Sequence, residues 1–191
     1  MKNNIIGRKS EQDTLARIYE SRQSEFVAVC GRRRVGKTFL VREYFEQEMV
    51  FQTSGLAGGN TQEQLKNFFY TLRRYDRNVT SVPHDWLDAF EMLITYLDSL
   101  NGIERKVIFL DELPWMDTAG SNFISALEHF WNGWASARRD IVLIVCGSAT
   151  SWMMDKLINN HGGLYGRLTH RLFLQPFSLG ESEAFLKTKG M

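Results

Sequence analysis

The residues best suited to chemistry lie in a glycine-rich segment that directly follows an apolar run. Residues 31–38 read Gly-Arg-Arg-Arg-Val-Gly-Lys-Thr, and residues 26–30 before them read Phe-Val-Ala-Val-Cys. A buried strand, the pattern G-x-x-x-x-G-K-[ST] and then a helix predict a P-loop, whose backbone N–H groups cradle phosphates. Gly31 and Gly36 permit the backbone conformations that turn those N–H groups inward. The segment therefore predicts binding of a nucleoside triphosphate.

The polar side chains of this P-loop have separate tasks. Lys37 supplies a compact cation for the β- and γ-phosphates, and the Thr38 hydroxyl is a ligand for Mg²⁺. The helix that begins near Lys37 adds the positive end of its dipole. The arginines at 32–34 either help to hold the triphosphate or a partner's acids, or belong to a solvated loop. The predicted nucleotide-binding residues of this segment are Gly31, Arg32, Arg33, Arg34, Val35, Gly36, Lys37, Thr38 and Phe39.

A second apolar run, at residues 107–110, leads directly into Asp111 and Glu112. Here Asp111 is predicted to hold Mg²⁺, usually through water, and Glu112 to orient or deprotonate the attacking water. An exposed acid pair at a strand end is the alternative, which the upstream P-loop disfavours. A kinase of small molecules needs no glutamate beside the metal-binding aspartate, so Glu112 favours hydrolysis.

Two further polar residues are candidates for the same site. Ser148 closely follows the apolar run 141–145, and parallel sheets bind ligands at the carboxyl ends of their strands. It is therefore predicted to sense the γ-phosphate or the attacking water, with a cap of the helix at 150–157 as the alternative. Arg167 follows a glycine-rich segment and is predicted to stabilise charge on the γ-phosphate, whereas a solvated or carboxylate-paired arginine is the alternative. Arg171 competes for this role.

The bulk composition limits the classes of function. The chain has 191 residues, of which 43% are hydrophobic and 24% charged, as is ordinary for a soluble globular domain. The net charge of +1 gives no global attraction to nucleic acid or to anionic membranes, and no apolar stretch is long enough to span a bilayer. Cys30 and Cys146 end apolar runs and are interpreted as core thiols, which suits a reducing cytoplasm. The four histidines show no pairing with a nucleophile.

Apolar runs alternate with amphipathic segments along the chain. Strands are predicted at 26–30, 49–53, 107–110, 141–145 and 171–174. Helices are predicted after a cap at Ser10, through 39–45, 65–72, 86–100, 123–134 and 150–157, and after a cap at Ser178. The aromatic residues at 123–134 follow helical periodicity, so they are interpreted as core and not as a platform for nucleic-acid bases. This alternation predicts an α/β fold whose parallel sheet of about five strands is covered on both faces.

The combination of these motifs resembles a known family, the prokaryotic archaeal-type ATPases of the AAA+/STAND group of P-loop NTPases. The residues that carry the resemblance are Ile5-Ile6-Gly7-Arg8, Gly31 to Thr38, Leu110-Asp111-Glu112-Leu113-Pro114-Trp115, Cys146-Gly147-Ser148 and Tyr165-Gly166-Arg167. The resemblance implies a three-layer sandwich of AAA+ type. In it the P-loop strand lies between the last strand and the strand before Ser148, which places Cys30 and Cys146 on neighbouring strands.

The resemblance also implies roles for residues that the local patterns leave open. Ile5 to Arg8 would pack near the adenine, which makes Gly7 and Arg8 nucleotide-binding residues. Ser148 would be the first sensor, and Arg167 would be a candidate arginine finger.

The family's domain order has a further implication. Residues 1–176 would form the ATPase domain, and residues 177–191 would begin a helical lid within which the chain ends. In the family a winged helix and sometimes a nuclease-like domain follow, so contact with DNA is expected only through that region.

These observations predict Mg²⁺-dependent binding and hydrolysis of ATP. The hydrolysis would be coupled to an unknown C-terminal effector, and it would take place either in a single subunit or in a homo-oligomer. The predicted catalytic residues are Lys37, Glu112, Ser148 and Arg167. One alternative is a nucleotide-dependent switch that hydrolyses slowly or not at all, which the Gly7-Arg8 segment and the missing lid favour. Another is a DNA-associated regulatory module, against which the near-neutral charge of the visible domain argues.

Overall fold

The computed structural model describes residues 5–159 and 163–188 and arranges them around one parallel sheet. The strands are β1 (Glu25–Gly31), β2 (Met49–Ser54), β3 (Lys106–Asp111), β4 (Ile141–Gly147) and β5 (His170–Leu174). Their order across the sheet is β2-β3-β4-β1-β5. The P-loop strand β1 therefore lies between the last strand and the strand before Ser148, as the family resemblance implied.

Helices connect the strands and cover both faces of the sheet. They are α1 (Lys9–Glu20), α2 (Lys37–Tyr44), α3 (Thr61–Tyr75), α4 (Trp86–Ser99), α5 (Phe123–Gly133), α6 (Thr150–Met153) and α7 (Leu179–Thr188). Short 3₁₀ turns lie at Leu113–Trp115 and Ala135–Ala137, and a π-helical turn at Met154–Ile158 continues α6. Within the described ranges, no helix combines the length and apolar character that crossing a bilayer requires.

Two hydrophobic clusters, one on each face, hold the three layers together. On one face α3, α4 and α5 contribute aromatic rings, and Phe90 stacks on Phe130 with centroids 5.1 Å apart. On the other face Leu15 and Ile18 of α1 pack with Leu40 of α2. The predicted three-layer α/β sandwich is therefore confirmed, and the α5 aromatics are core residues, as the helical periodicity predicted.

The two cysteines lie on neighbouring strands but on opposite faces of the sheet. Cys146 pairs in register with Val29, one residue before Cys30. Since successive side chains of a strand point to opposite faces, Cys30 packs with the α3–α5 cluster and Cys146 with the α1–α2 cluster. Both thiols are buried, and burial raises the pKa of Cys30 to about 11. The interpretation as core thiols is confirmed.

Helix starts show where local patterns succeed and where they fail. Asn60 and Glu63 form a reciprocal cap of α3, with the Asn60 side chain accepting from the Glu63 amide at 3.1 Å. The predicted cap at Ser10 is wrong, because α1 begins one residue earlier, at Lys9. Its N-cap is Arg8, which has a left-handed backbone (φ 55°) and donates its amide to Glu181 far along the chain.

Candidate nucleotide-binding site

The P-loop connects the carboxyl end of β1 to the first turn of α2. Gly31 has φ +148°, and a Cβ there would lie 2.5 Å from the Leu174 carbonyl oxygen of β5. Gly36 has φ +88° and is the N-cap of α2, with open space where its Cβ would be. Arg34 adopts a left-handed conformation as well (φ 66°). The loop thus has the turned backbone conformation that the sequence predicted for a phosphate-binding loop.

Lys37 is buried at the centre of this loop, with only 5% of its surface exposed. Its ammonium donates to the carbonyl oxygens of Gly31 at 3.0 Å and Arg32 at 2.9 Å. Within the part of the chain that the structure describes, this ammonium is held by carbonyl dipoles and pairs with no carboxylate. The charge and position of Lys37 therefore suit a phosphate in the loop.

Thr38 and Asp111 form a residue pair that could hold a metal ion. The Thr38 hydroxyl donates to one carboxylate oxygen of Asp111 at 2.8 Å, and the other oxygen accepts from the Glu112 amide at 3.0 Å. Asp111 is nearly buried at the end of β3. A hydroxyl and a carboxylate are the hard oxygen ligands that Mg²⁺ prefers beside phosphates. The donor set therefore fits Mg²⁺.

Glu112 and Ser148 form the next contact along this edge of the sheet. Glu112 has a left-handed backbone (φ 47°), an unusual conformation for a non-glycine residue. Its carboxylate accepts from the Ser148 hydroxyl at 3.0 Å and from the Ser148 amide at 3.4 Å. The same hydroxyl accepts from Arg33 Nε at 3.4 Å. The P-loop, the acid pair and the end of β4 therefore meet through side chains.

The loop after β2 packs against the acid pair, a relationship that sequence reasoning missed. The Gly55 amide donates to the Asp111 carbonyl at 3.0 Å. A Cβ at Gly55 would lie 2.7 Å from the Glu112 carbonyl oxygen and 2.8 Å from the Trp115 Cβ. Glycine thus allows this loop to approach closely. The sequence showed only a glycine-rich loop at this place, and such a pattern does not reveal which residues the loop contacts.

A cleft of about 960 Å³ lies beside the P-loop and is large enough for a nucleoside. Three segments line it: the chain before α1, the P-loop with the start of α2, and the chain around α7. The lining residues are Ile5, Ile6, Arg8, Arg34, Val35, Gly36, Phe39, Leu40, Glu43, Pro176, Phe177, Phe185 and Thr188. The segment expected near the adenine therefore does line the apolar cleft next to the phosphate loop.

Arg8 joins the three walls of this cleft. Its guanidinium donates to the Val35 carbonyl at 2.9 Å, pairs with Glu11 at 3.3 Å and lies 4.8 Å from the centre of the Phe177 ring. Only 6% of Arg8 is exposed. Its backbone amide donates to Glu181 at 2.8 Å. Phe177 and Glu181 were not predicted as site residues, although the Ser178-x-x-Glu181 cap was recognised.

Arg167 stands apart from these contacts. The residue is exposed, and its side chain makes no hydrogen bond or ion pair with residues 5–159 or 163–188. The turn that carries it is anchored by the buried Leu164 and by the Asn132 amide, which donates to the Gly163 carbonyl at 2.9 Å. Arg171, the competing candidate on β5, is also exposed. His161 and Gly162 of the glycine-rich segment lie outside the described residues.

The class of protein follows from the parallel sheet, the P-loop and the adjoining acid pair, which together define a P-loop ATPase domain of AAA+-like fold. Residues 6–189 match the family described as ATPase domains predominantly from Archaea. The chain belongs to this family.

Individual relatives agree with this assignment. Over 181 residues the chain is 26% identical to an uncharacterized protein of Methanocaldococcus jannaschii, covering 95% of this chain and 38% of that protein. Its fold is similar to a Walker-type ATPase of Pyrococcus abyssi, with TM-score 0.71, 20% identity, and coverage of 97% and 58%. It is also similar to the Aeropyrum pernix ORC2 protein in its ADP form, with TM-score 0.64, 19% identity, and coverage of 98% and 54%. The chain spans less than two thirds of each of these proteins.

Proposed function

We propose that this domain binds ATP together with Mg²⁺ and hydrolyses the β–γ phosphoanhydride. The observation that carries the proposal is the 2.8 Å contact between the Thr38 hydroxyl and the Asp111 carboxylate, next to Glu112. Thr38 ends the P-loop and Asp111 ends β3, so the phosphate cradle and the acid pair meet at one edge of the sheet. Hydrolysis needs this arrangement, because metal ligands and a residue that positions water must both lie near the γ-phosphate.

Each residue of this edge has a separate task in the proposal. Lys37 exchanges its carbonyl partners for phosphate oxygens and neutralises their charge. Thr38 and Asp111 would hold Mg²⁺, which when bound withdraws electron density from the phosphates. Glu112 orients the attacking water and accepts its proton, while the Ser148 hydroxyl fixes the orientation of that carboxylate.

Arg167 adds positive charge at the γ-phosphate in this proposal. Because its side chain is exposed and has no partner among the described residues, a neighbouring subunit of a homo-oligomer is the site it suits best. A guanidinium supplied from outside a site is well suited to the charge that develops on the transferred phosphoryl group.

The division of the chain follows the same proposal. Residues 1–176 form the ATPase domain and residues 177–191 begin a helical lid, consistent with α7, which buries none of its residues in the described structure. A winged-helix or nuclease-like region after the lid would couple hydrolysis to an effector and provide any contact with DNA. The two buried thiols suit the cytoplasm as the compartment.

A nucleotide-dependent switch is the second candidate function. The hydrogen bonds from Ser148 to Glu112 favour it, because they hold the carboxylate before any water is positioned. Such a domain would retain its nucleotide and turn it over slowly.

Single-turnover hydrolysis of Mg²⁺-ATP by the purified chain distinguishes the two candidates. We expect the wild type to cleave ATP and Glu112→Gln to bind it equally well while cleaving about 100-fold or more slowly. Glu46→Gln is the matched control, because this exposed carboxylate precedes β2 and makes no contact with the site. Equal rates for wild type and Glu112→Gln would contradict the catalytic assignment. Binding by both without cleavage by either would support the switch.

A further inference from the structure

The Glu181 carboxylate joins two segments that are far apart in the chain. One oxygen accepts from the Arg8 backbone amide at 2.8 Å. The other accepts from the Ser178 amide at 2.9 Å and from the Ser178 hydroxyl at 3.0 Å. Because Glu181 lies in the first turn of α7, one side chain both caps that helix and attaches it to the chain before α1.

The backbone around Arg8 is shaped to receive this carboxylate. Gly7 and Arg8 both have left-handed conformations, with φ 68° and 55°. A Cβ at Gly7 would lie 2.8 Å from the Glu181 Cγ, so glycine permits the approach. The Gln12 side chain donates to the Gly7 carbonyl at 2.7 Å and stabilises the turn from the side of α1.

The described part of α7 is largely exposed. None of its residues is buried, and Leu179 is 92% exposed. Phe177 precedes α7, lies against the Arg8 guanidinium and contacts the ring of Phe185 with centroids 6.2 Å apart. The hydrogen bond from Arg8 lowers the pKa of Glu181, so the acceptor is ionised at neutral pH. A charged acceptor makes the stronger kind of hydrogen bond.

We propose that Glu181 is a positioning residue that couples the binding of ATP to the docking of α7. This inference rests on the proposed function and adds to it a route between the cleft and the C-terminal helix. Arg8, Phe177 and Phe185 line the cleft, so a nucleoside between them contacts both segments that Glu181 joins. By thermodynamic linkage, bound nucleotide then shifts α7 toward its docked position. Docking of α7 raises the affinity for nucleotide by the same factor.

Affinity for the fluorescent analogue mant-ATP tests one side of this coupling. We expect Glu181→Ala to weaken binding about tenfold, in the range of ordinary coupling energies, with the single-turnover rate at saturating Mg²⁺-ATP unchanged. Glu181→Gln retains an oxygen for the Arg8 amide but loses the charge, so it should lie between Glu181→Ala and wild type. Glu183→Ala is the matched control, because Glu183 lies on the same helix and its ion pair within the described residues is with Lys187, at 2.6 Å.

Amide hydrogen exchange of α7 tests the other side. We expect ATP to slow exchange in α7 of the wild type and of Glu183→Ala but not of Glu181→Ala. Ser178→Ala separates coupling from capping, because it removes the Ser178 hydroxyl and leaves the bond between Arg8 and Glu181. If Ser178→Ala weakens mant-ATP binding as much as Glu181→Ala, or if Glu181→Ala binds like Glu183→Ala, the coupling is refuted. Failure of the wild type to bind ATP would instead refute the proposed function, and the coupling with it.

Discussion

The Ser148 hydroxyl lies 3.0 Å from the Glu112 carboxylate and donates a hydrogen bond to it. Glu112 follows β3 and Ser148 follows β4, and these strands are neighbours in the sheet. Sequence reasoning predicted that Ser148 senses the γ-phosphate or the attacking water. In the structure its hydroxyl donates to the acid proposed to act on that water, so we expect Ser148 to act through Glu112.

Removing the Ser148 hydroxyl should therefore affect cleavage more than binding. We expect Ser148→Ala to lower the single-turnover rate about tenfold, since a hydrogen bond to a charged group contributes roughly 1.5–3 kcal/mol. Affinity for ATP should stay within about twofold of wild type. Ser148→Thr retains the hydroxyl and should recover most of the rate. A loss of affinity with an unchanged rate would instead assign Ser148 to direct contact with nucleotide.

Lys37→Ala should abolish tight binding of Mg²⁺-ATP. The substitution removes the buried ammonium of the P-loop, and we expect the dissociation constant to rise about 100-fold or more. Titration with mant-ATP measures the change, and thermal unfolding without nucleotide checks that the variant is folded. Lys9→Ala is the control, because the Lys9 side chain is 84% exposed on α1. Equal affinity of Lys37→Ala and wild type would show that the loop holds no phosphate.

The sheet and the phosphate end of the site were predictable because their signals are local. Strand β1, the P-loop and Lys37 are contiguous, and Asp111 and Glu112 directly follow an apolar strand. Strand order needed the family resemblance, since apolar runs alone do not show which strands are neighbours.

Contacts between distant segments could not be predicted in this way. Glu181 binds the amide of Arg8 across 173 positions of sequence, and Gly55 packs on Glu112 from another strand end. The cap at Ser178 was visible as a sequence pattern. The hydrogen bond from the Arg8 amide to Glu181 was not, because it depends on how the chain folds back. The failed cap at Ser10 is a similar case, because Arg8, the N-cap of α1, donates its amide to Glu181, a contact that the local pattern does not show.

Mixing two defective variants should show whether Arg167 acts on a neighbouring subunit. In a mixed oligomer, a subunit with Arg167→Ala retains its own P-loop and can receive Arg167 from a Lys37→Ala partner. We therefore expect the mixture to regain turnover that neither variant shows alone, and to regain more at higher protein concentration. A mixture of Lys37→Ala with Glu112→Gln is the control and should stay inactive. If the first mixture also stays inactive while both variants form oligomers, Arg167 does not act in trans.

Stability at acid pH should depend on Asp140, which lies beside β4 and away from the nucleotide site. Arg138 donates two hydrogen bonds of 2.8 Å to this carboxylate, and Lys106 donates one of 2.6 Å. The bonds from Arg138, followed by those from Lys106, lower the pKa of Asp140 far below its ordinary value. A carboxyl with a depressed folded-state pKa stabilises the fold above its unfolded pKa of about 4, and this contribution is lost as the pH falls further.

Asp140→Asn should consequently lower the free energy of unfolding by about 1–3 kcal/mol at pH 7. The difference from wild type should shrink as the pH falls from about 5 toward 2, because Asp140 takes up a proton in the unfolded chain at a higher pH than in the folded chain. Urea unfolding across this pH series measures both effects. Asp13→Asn is the control: Asp13 is 57% exposed and pairs with an exposed lysine, so its removal should change little. A difference between Asp140→Asn and wild type that stays constant over the series would mean that packing, and not the charge of Asp140, provides the stability.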